Sequence, residues 1–241
     1  MKSHDYYDQQ WLAMNDSQDV DVTATQRMSR LRDALDPLLR SREPGDIWVL
    51  DASCGKGTFI RFLRSLGIHV VGMDIALPAL REARNATGCR EFVAASAESP
   101  LPFPDSTFNA VWFGETLAHL FDGHFALSEF NRVLKPGGLL ILTTPYHGLV
   151  KNLAIVLFSF DEHFYPDNYR IRFYDRVGLE RSLKRAGFEP EVWKGIGRAW
   201  PMWKSFFVAA RKSGKPHPLA SRHPPSDPRH REAERRIANN R

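Results

Sequence analysis

The stretch Val49-Leu50-Asp51-Ala52-Ser53-Cys54-Gly55-Lys56-Gly57-Thr58-Phe59 carries the most distinctive chemistry of the chain. An apolar run ends in an acid, small residues turn sharply, and a helical pattern starts at Thr58. Gly55 and Gly57 can take positive φ and let a ligand approach the backbone. The unpaired amides of a helix start suit an anionic group. A nucleotide-phosphate cradle would use the same logic, but the loop matches neither G-x-x-x-x-G-K-[ST] nor G-x-G-x-x-G. Asp74 follows 23 residues after Asp51 and closes the apolar run Val70-Val71-Gly72-Met73. A carboxylate there has two acceptor oxygens, which suit the vicinal diol of a ribose. Farther on stand His119 and His147, side chains able to take a proton near neutral pH.

These residues need elements to position them. Residues 1–45 read as a helical N-terminal extension or cap, with Tyr6, Tyr7, Trp11 and Leu12 at helix-like spacing. A second helix is expected over Thr25–Leu39, its apolar face made of Met28, Leu31, Leu35, Leu38 and Leu39. From residue 46 to 211 short apolar runs alternate with helical patterns. Strands are expected at 47–50, 69–73, 91–95, 108–113 and 139–143, and helices at 58–66, 78–85 and 124–134. This rhythm indicates a parallel sheet with helices on both faces, wound by right-handed crossovers. Such sheets bind ligands at the carboxyl ends of their strands. Asp51, Asp74, His119 and His147 all fall at such ends. Pro136-Gly137-Gly138 is expected to stop the last of these helices. Residues 145–174 break the rhythm with an apolar and then aromatic stretch, expected to form an insertion or lid over the sheet edge. A helix over 175–186 and two strands, 189–194 and 205–210, complete the domain.

On these residues the chain resembles the class I S-adenosylmethionine-dependent methyltransferases, in the group that includes ubiquinone and menaquinone biosynthesis enzymes. Asp51 to Gly57 is similar to their D-x-G-x-G-x-G loop, with Ser53 in place of the first glycine. Ser96-Ala97-Glu98 with Leu101-Pro102-Phe103 resembles their D-A-E-x-L-P-F segment, with Ser96 for the acid. Asp105 to Val111 resembles the entry to their fourth strand, and Glu129 to Gly138 the E-x-x-R-V-L-K-P-G-G helix and turn. Ala118 stands where close relatives often carry Glu. The resemblance implies a Rossmann-like, doubly wound, mostly parallel seven-stranded α/β sheet with helices on both faces and an antiparallel last strand. It implies S-adenosyl-L-methionine as cofactor, with S-adenosyl-L-homocysteine as product. The implied cofactor contacts are Asp51, Ser53, Gly55, Gly57, Asp74, Ile75, Ser96, Ala97, Glu98 and Phe113. Glu129 and Arg132, three apart, read as a surface pair on a helix.

Methyl transfer from a sulfonium is an in-line displacement, so the protein must align an acceptor lone pair and exclude water. A hydroxyl acceptor benefits from a base, and His119 and His147 are the two candidates. Tyr146, His163 and Tyr165 are candidate acceptor contacts, and no metal site is expected. Two histidines at this edge favour O-methylation slightly.

Composition bounds the alternatives. The chain has 241 residues, 43% hydrophobic and 25% charged, ordinary for a globular α/β domain. Two cysteines, Cys54 and Cys89, exclude a disulfide framework. No apolar run approaches the ~18 residues of a membrane span, and the start lacks an apolar secretory core, so the cytoplasm is the expected location. The net charge of +5 sits at the end: residues 211–241 carry nine Lys/Arg against three Asp/Glu, leaving the body near neutral. Residues 212–241 are expected to be a disordered basic tail, with a short helix over about 228–238 as the alternative. The leading reading is a small-molecule methyltransferase, with nucleic acid not an expected partner. A methyltransferase acting on RNA or protein, a non-catalytic cofactor-binding partner protein and a nicotinamide dehydrogenase stand as alternatives, in falling order.

Overall fold

The computed structural model describes residues 8, 9, 11, 22–164 and 171–216. Tyr6, Tyr7, Leu12, Tyr165 and the stretch 217–241 therefore lie outside the described residues, with the expectations placed on them. Helix α1, Ala24–Ser41, buries Leu31 and Leu35, one turn apart, and half-buries Met28, Leu38 and Leu39. It is the helix expected from the apolar spacing. Gln26 Oε1 accepts the Gly197 amide at 2.8 Å, and the Arg27 guanidinium stacks 5.5 Å from the Phe59 ring centroid.

The sheet strands are β1 (Trp48–Asp51), β2 (His69–Asp74), β3 (Phe92–Ala94), β4 (Phe108–Gly114), β5 (Leu134–Pro145), β6 (Phe188–Ile196) and β7 (Ser205–Lys212). The intervening helices are α2 (Thr58–Ser65), α3 (Leu77–Thr87), α4 (Gly123–Val133), α5 (Leu149–Phe158), α6 (Phe160–His163) and α7 (Arg176–Arg185). The order across the sheet is β3-β2-β1-β4-β5-β7-β6. Strands β1 to β5 pair in parallel, and β7 runs antiparallel to both β5 and β6. The order reverses between β1 and β4, so a crevice opens at their carboxyl ends.

Both faces of the sheet are covered, which is why the central strands are apolar throughout rather than alternating. Every residue of β4 from Phe108 to Phe113 is buried. One face packs Phe113, Leu140 and Val208 against Phe130, Leu179 and Leu183. The other packs Trp112, Ile141 and Phe207 with Leu31, Leu35, Ile60 and Leu63.

Three details differ from the sequence expectations. Pro136-Gly137-Gly138 does not separate helix from strand: β5 starts at Leu134, and its register against β4 shifts between the Phe108 and Ala110 pairings. Gly137, at φ +71°, turns the chain within that irregularity. Strand β7 runs through Lys212, two residues past the expected Ala210: Arg211 pairs with Leu139 and Glu189 and Lys212 with Phe188, while the Lys212 amine donates to the Asn131 and Leu134 carbonyls. Asn131 Nδ2 also ties Ala186, Gly187 and Gly214 together, so residues 212–214 belong to the folded body rather than to a tail. The insertion holds two helices, and α5 is inverted. Lys151 donates inward to the Tyr146, Trp203 and Lys204 carbonyls, while Leu149, Val150, Leu153, Val156 and Leu157 face out. Among the described residues no helix is long and apolar enough to cross a membrane.

Candidate functional site

Strand β1 delivers Asp51 to the crevice, where it is 1% exposed. Among the described residues neither carboxyl oxygen has a hydrogen-bond partner. Burial pushes its carboxyl up to about 8, against the pull of the nearby Ser53 amide and with a smaller addition from the Asp74 charge. The turn that follows is held from three sides. The Ala52 amide donates to Trp112 O, the Cys54 amide to Met73 O, and the Gly57 amide to Cys54 O. Ser53, which replaces a glycine of the family pattern, reaches the Gly114 carbonyl with its hydroxyl at 3.4 Å. A small polar residue thus serves here because it can bond to the end of β4.

Gly55 and Gly57 both have positive φ, +49° and +81°, but their surroundings differ. A Cβ on Gly55 would stand 3.4 Å from the Trp11 ring, an ordinary contact. A Cβ on Gly57 would stand 2.8 Å from Thr87 Cγ2. Gly57 therefore lets α2 approach α3, where the sequence suggested room for a ligand. At the end of β2, Asp74 Oδ2 accepts the Gly55 amide at 2.9 Å and Oδ1 the Ala76 amide at 3.0 Å. Burial raises the Asp74 carboxyl, and the amides of Ala76, Gly55 and Ile75 oppose that rise. Asp8 Oδ1 accepts the Leu77 amide at 2.9 Å, so the N-terminal segment touches both the loop and the start of α3.

The Ser96–Glu98 segment lies beyond β3. Ser96 Oγ accepts the Glu98 amide at 3.1 Å, and Ala97 is buried. The Glu98 carboxylate accepts the Asp122 amide at 2.8 Å, which ties it to the start of α4. Phe113 is fully buried, its ring 4.8 Å from that of Phe130, so its side chain serves the core and only its backbone borders the crevice. The Glu129–Arg132 pair is more than the surface pair its spacing suggested. Arg132 donates to the carbonyls of Leu101 and Phe103 and to the carboxylates of Asp105 and Glu129. Glu129 accepts the Leu101 amide at 2.7 Å. The pair clamps the 101–105 loop, and the Arg132 hydrogen bond holds the Glu129 carboxyl below its usual range.

At the carboxyl ends of β4 and β5 the structure brings some of the predicted acceptor residues together. His147 is 5% exposed, with Nδ1 3.1 Å from Asn152 Oδ1. Its ring lies 5.6 Å from His163 and 4.8 Å from Phe173. Residues 171–174 bring Phe173 there: the Ile171 and Arg172 amides bond Ala118 O, and Tyr174 bridges Tyr146. The Tyr146 ring instead packs on Trp203 and Phe206. His119 is half-buried in a short turn after β4, with its amide on Thr116 O.

Sequence reasoning missed Glu115. This residue follows β4 directly and has φ +55°, a conformation costly for a residue with a Cβ. Its amide donates to Thr143 O at 2.9 Å and Thr143 Oγ1 at 3.1 Å. Its carboxylate accepts the Ser205 hydroxyl at 3.0 Å. An acid immediately after the last glycine of a central strand was the available signal.

A cofactor with a ribose, an ammonium and a carboxylate fits this crevice. The buried Asp51 oxygens lack the partner that a cation would supply. Asp74 keeps lone pairs for a diol, and the start of α2 offers amides. Residues 50–142 match the family described as methyltransferase domain. The chain is 32% identical over 191 residues to the malonyl-[acyl-carrier protein] O-methyltransferase of Pseudescherichia vulneris, covering 77% of this chain and 70% of that protein. The enzyme of the same name from Salmonella typhimurium is 31% identical over 137 residues, and there the chain spans about half of the relative, 53%. The fold is shared with the Burkholderia thailandensis 1,6-didemethyltoxoflavin-N1-methyltransferase, solved with S-adenosylhomocysteine, at a TM-score of 0.66 and 18% identity over 88% of this chain and 87% of that one. With its doubly wound sheet, its Asp51–Gly57 loop and these relatives, the chain belongs to the class I S-adenosylmethionine-dependent methyltransferases.

Proposed function

We propose that this chain methylates an oxygen of a small acceptor held where β4 and β5 end. The observation that carries the reading is the His147–Asn152 pair beside His163, at the edge next to the Asp51 loop. The O-methyl preference is supported by the first relative, named for O-methylation of a malonyl group on an acyl carrier protein. An acyl group borne by a carrier is accordingly the first acceptor class to try.

When bound, S-adenosylmethionine supplies a methyl group already activated by its sulfonium. Asp51, ionised, balances the ammonium. Asp74 takes the ribose hydroxyls while the Gly55 and Ala76 amides orient it. Ile75, Ser96, Ala97 and the Phe113 backbone border the adenine, and Glu98 acts through its hold on Asp122. Ser53 and Gly57 shape the loop, and the N-terminal segment caps it through Trp11. With Nδ1 donating to Asn152, His147 is the base through Nε2, and His119 is the second candidate. His163, beside His147, faces the acceptor side, and Tyr146 backs it from its packing on Trp203 and Phe206.

The test is a panel of hydroxyl, carboxylate and amine acceptors with isotopically labelled methyl donor and product identification by mass spectrometry. Methyl ethers or esters are expected, and exclusively N-methylated products would overturn the reading. His147→Ala should lower kcat on a hydroxyl acceptor by about 100-fold or more, with cofactor affinity unchanged.

A further inference from the structure

Glu115 has a role that the cofactor contacts above do not use. It sits one residue beyond β4, where strand order reverses. The preceding Gly114 carbonyl receives the Ser53 hydroxyl of the cofactor loop and the Thr116 hydroxyl. Its positive φ is held by two bonds from its amide to Thr143, and its side chain reaches across the end of β5 to Ser205, at the start of β7. Strained backbone of this kind persists where surrounding contacts fix it, and such positions cluster at functional sites. Among the described residues Glu115 makes no ion pair with Lys, Arg or His. A half-buried carboxylate with no cation of its own therefore borders the acceptor end of the crevice.

We propose that Glu115 determines acceptor class by charge: it admits an acceptor whose reacting oxygen is a neutral hydroxyl and disfavours one whose reacting oxygen is a carboxylate. This rests on the O-methylation reading above. A sulfonium can offset one carboxylate at this edge, and two carboxylates sharing one site repel. A hydroxyl brings no charge. Its oxygen forms the new bond to the methyl carbon as the carbon–sulfur bond breaks, its proton passes to His147, and a neutral thioether leaves. The malonyl group in the first relative's name offers a carboxylate as its oxygen nucleophile, so this chain is expected to differ from that relative in acceptor.

The test uses a matched pair, 3-hydroxypropionyl and malonyl pantetheine thioesters, with wild type, Glu115→Gln and Ser205→Ala. Gln keeps an acceptor for Ser205 and removes the charge; the Ser205 variant removes the bond and keeps the charge. Wild type should show at least tenfold higher kcat/KM on the hydroxyl thioester. Glu115→Gln should move that ratio at least tenfold toward malonyl, and Ser205→Ala should leave it within threefold. In protein saturated with S-adenosylhomocysteine, the malonyl thioester should bind at least tenfold tighter to Glu115→Gln by calorimetry. A wild-type preference for malonyl, or an equal shift in both variants, overturns the assignment and leaves O-methylation standing. Methylation of amines alone overturns both.

Discussion

The Asp74 carboxylate accepts the Gly55 amide at 2.9 Å, so the acid that closes β2 holds the loop that closes β1. The same carboxylate accepts the Ala76 amide, and both bonds turn its remaining lone pairs toward the crevice. Asp74→Ala removes the diol acceptor and loosens the loop together. A hydrogen bond to a charged group contributes about 1.5–3 kcal/mol, so the affinity for S-adenosylhomocysteine should fall roughly 10- to 100-fold by titration calorimetry. Asp74→Asn, which keeps one acceptor oxygen, should fall between. An unchanged affinity in the alanine variant would remove the ribose assignment.

Asp51 sets a pH dependence of opposite sign to that of an ordinary salt-bridged acid. Its carboxyl titrates at about 8 in the folded chain, against a usual value of 3.8. Between those values the folded state holds a proton that the unfolded state has released. The associated stability is complete below pH 3.8 and is lost as pH rises through 8. Urea midpoints at pH 5, 7 and 9 should show Asp51→Asn gaining on wild type as pH rises. Binding of a cofactor ammonium needs the ionised acid, so below pH 8 it should release a proton. Calorimetry in two buffers of different ionisation enthalpy reads that proton, and Asp51→Asn should abolish it.

Arg132 is a structural clamp, and its loss should appear as stability before it appears as chemistry. Arg132→Ala frees two carbonyls of the 101–105 loop and leaves Glu129 without its cation. The group is partly exposed, so a loss of about 2 kcal/mol is expected rather than the full cost of a buried pair. For a domain of this size that corresponds to a Tm lower by roughly 4–8 °C. Arg132→Lys should recover only part, because an ammonium cannot reproduce the planar fork.

Gly55 and Gly57 should separate cleanly. Gly57→Ala combines positive φ with a 2.8 Å contact to Thr87 and should cost at least about 2 kcal/mol. Gly55→Ala meets only an ordinary contact with Trp11 and should cost about 1 kcal/mol. Thr87→Ser removes the clashing methyl, so it should recover part of the Gly57→Ala loss and none of the Gly55→Ala loss in denaturant titrations.

Much of the sheet could be read from residue order because its signals are local. Strands β1 to β4 are short apolar runs, and the apolar run 139–143 sits inside the longer β5. The site is less legible wherever distant partners decide. The left-handed backbone of Glu115 is fixed by Thr143 and its carboxylate by Ser205, both far along the chain. The spacing of Glu129 and Arg132 fits a surface pair equally well, and only the return of residues 101–105 onto α4 makes it a clamp. Helix α5 was obscured for another reason: its apolar residues face out, so its pattern reads as an unassigned apolar stretch.

The direction of β7 decides where handles can be attached. Ser205 lies at the edge proposed for methyl transfer, and Lys212 lies at the opposite edge, roughly 25 Å away at strand spacing. The chain past Lys212 is pinned there through Asn131 and Gly214. A fluorophore or affinity label joined after residue 216 therefore starts from the far side of the molecule and leaves the crevice open. The same label joined ahead of Asp8 starts beside the Gly55 loop and the first turn of α3, where it should report on entry to the proposed cofactor site and obstruct it.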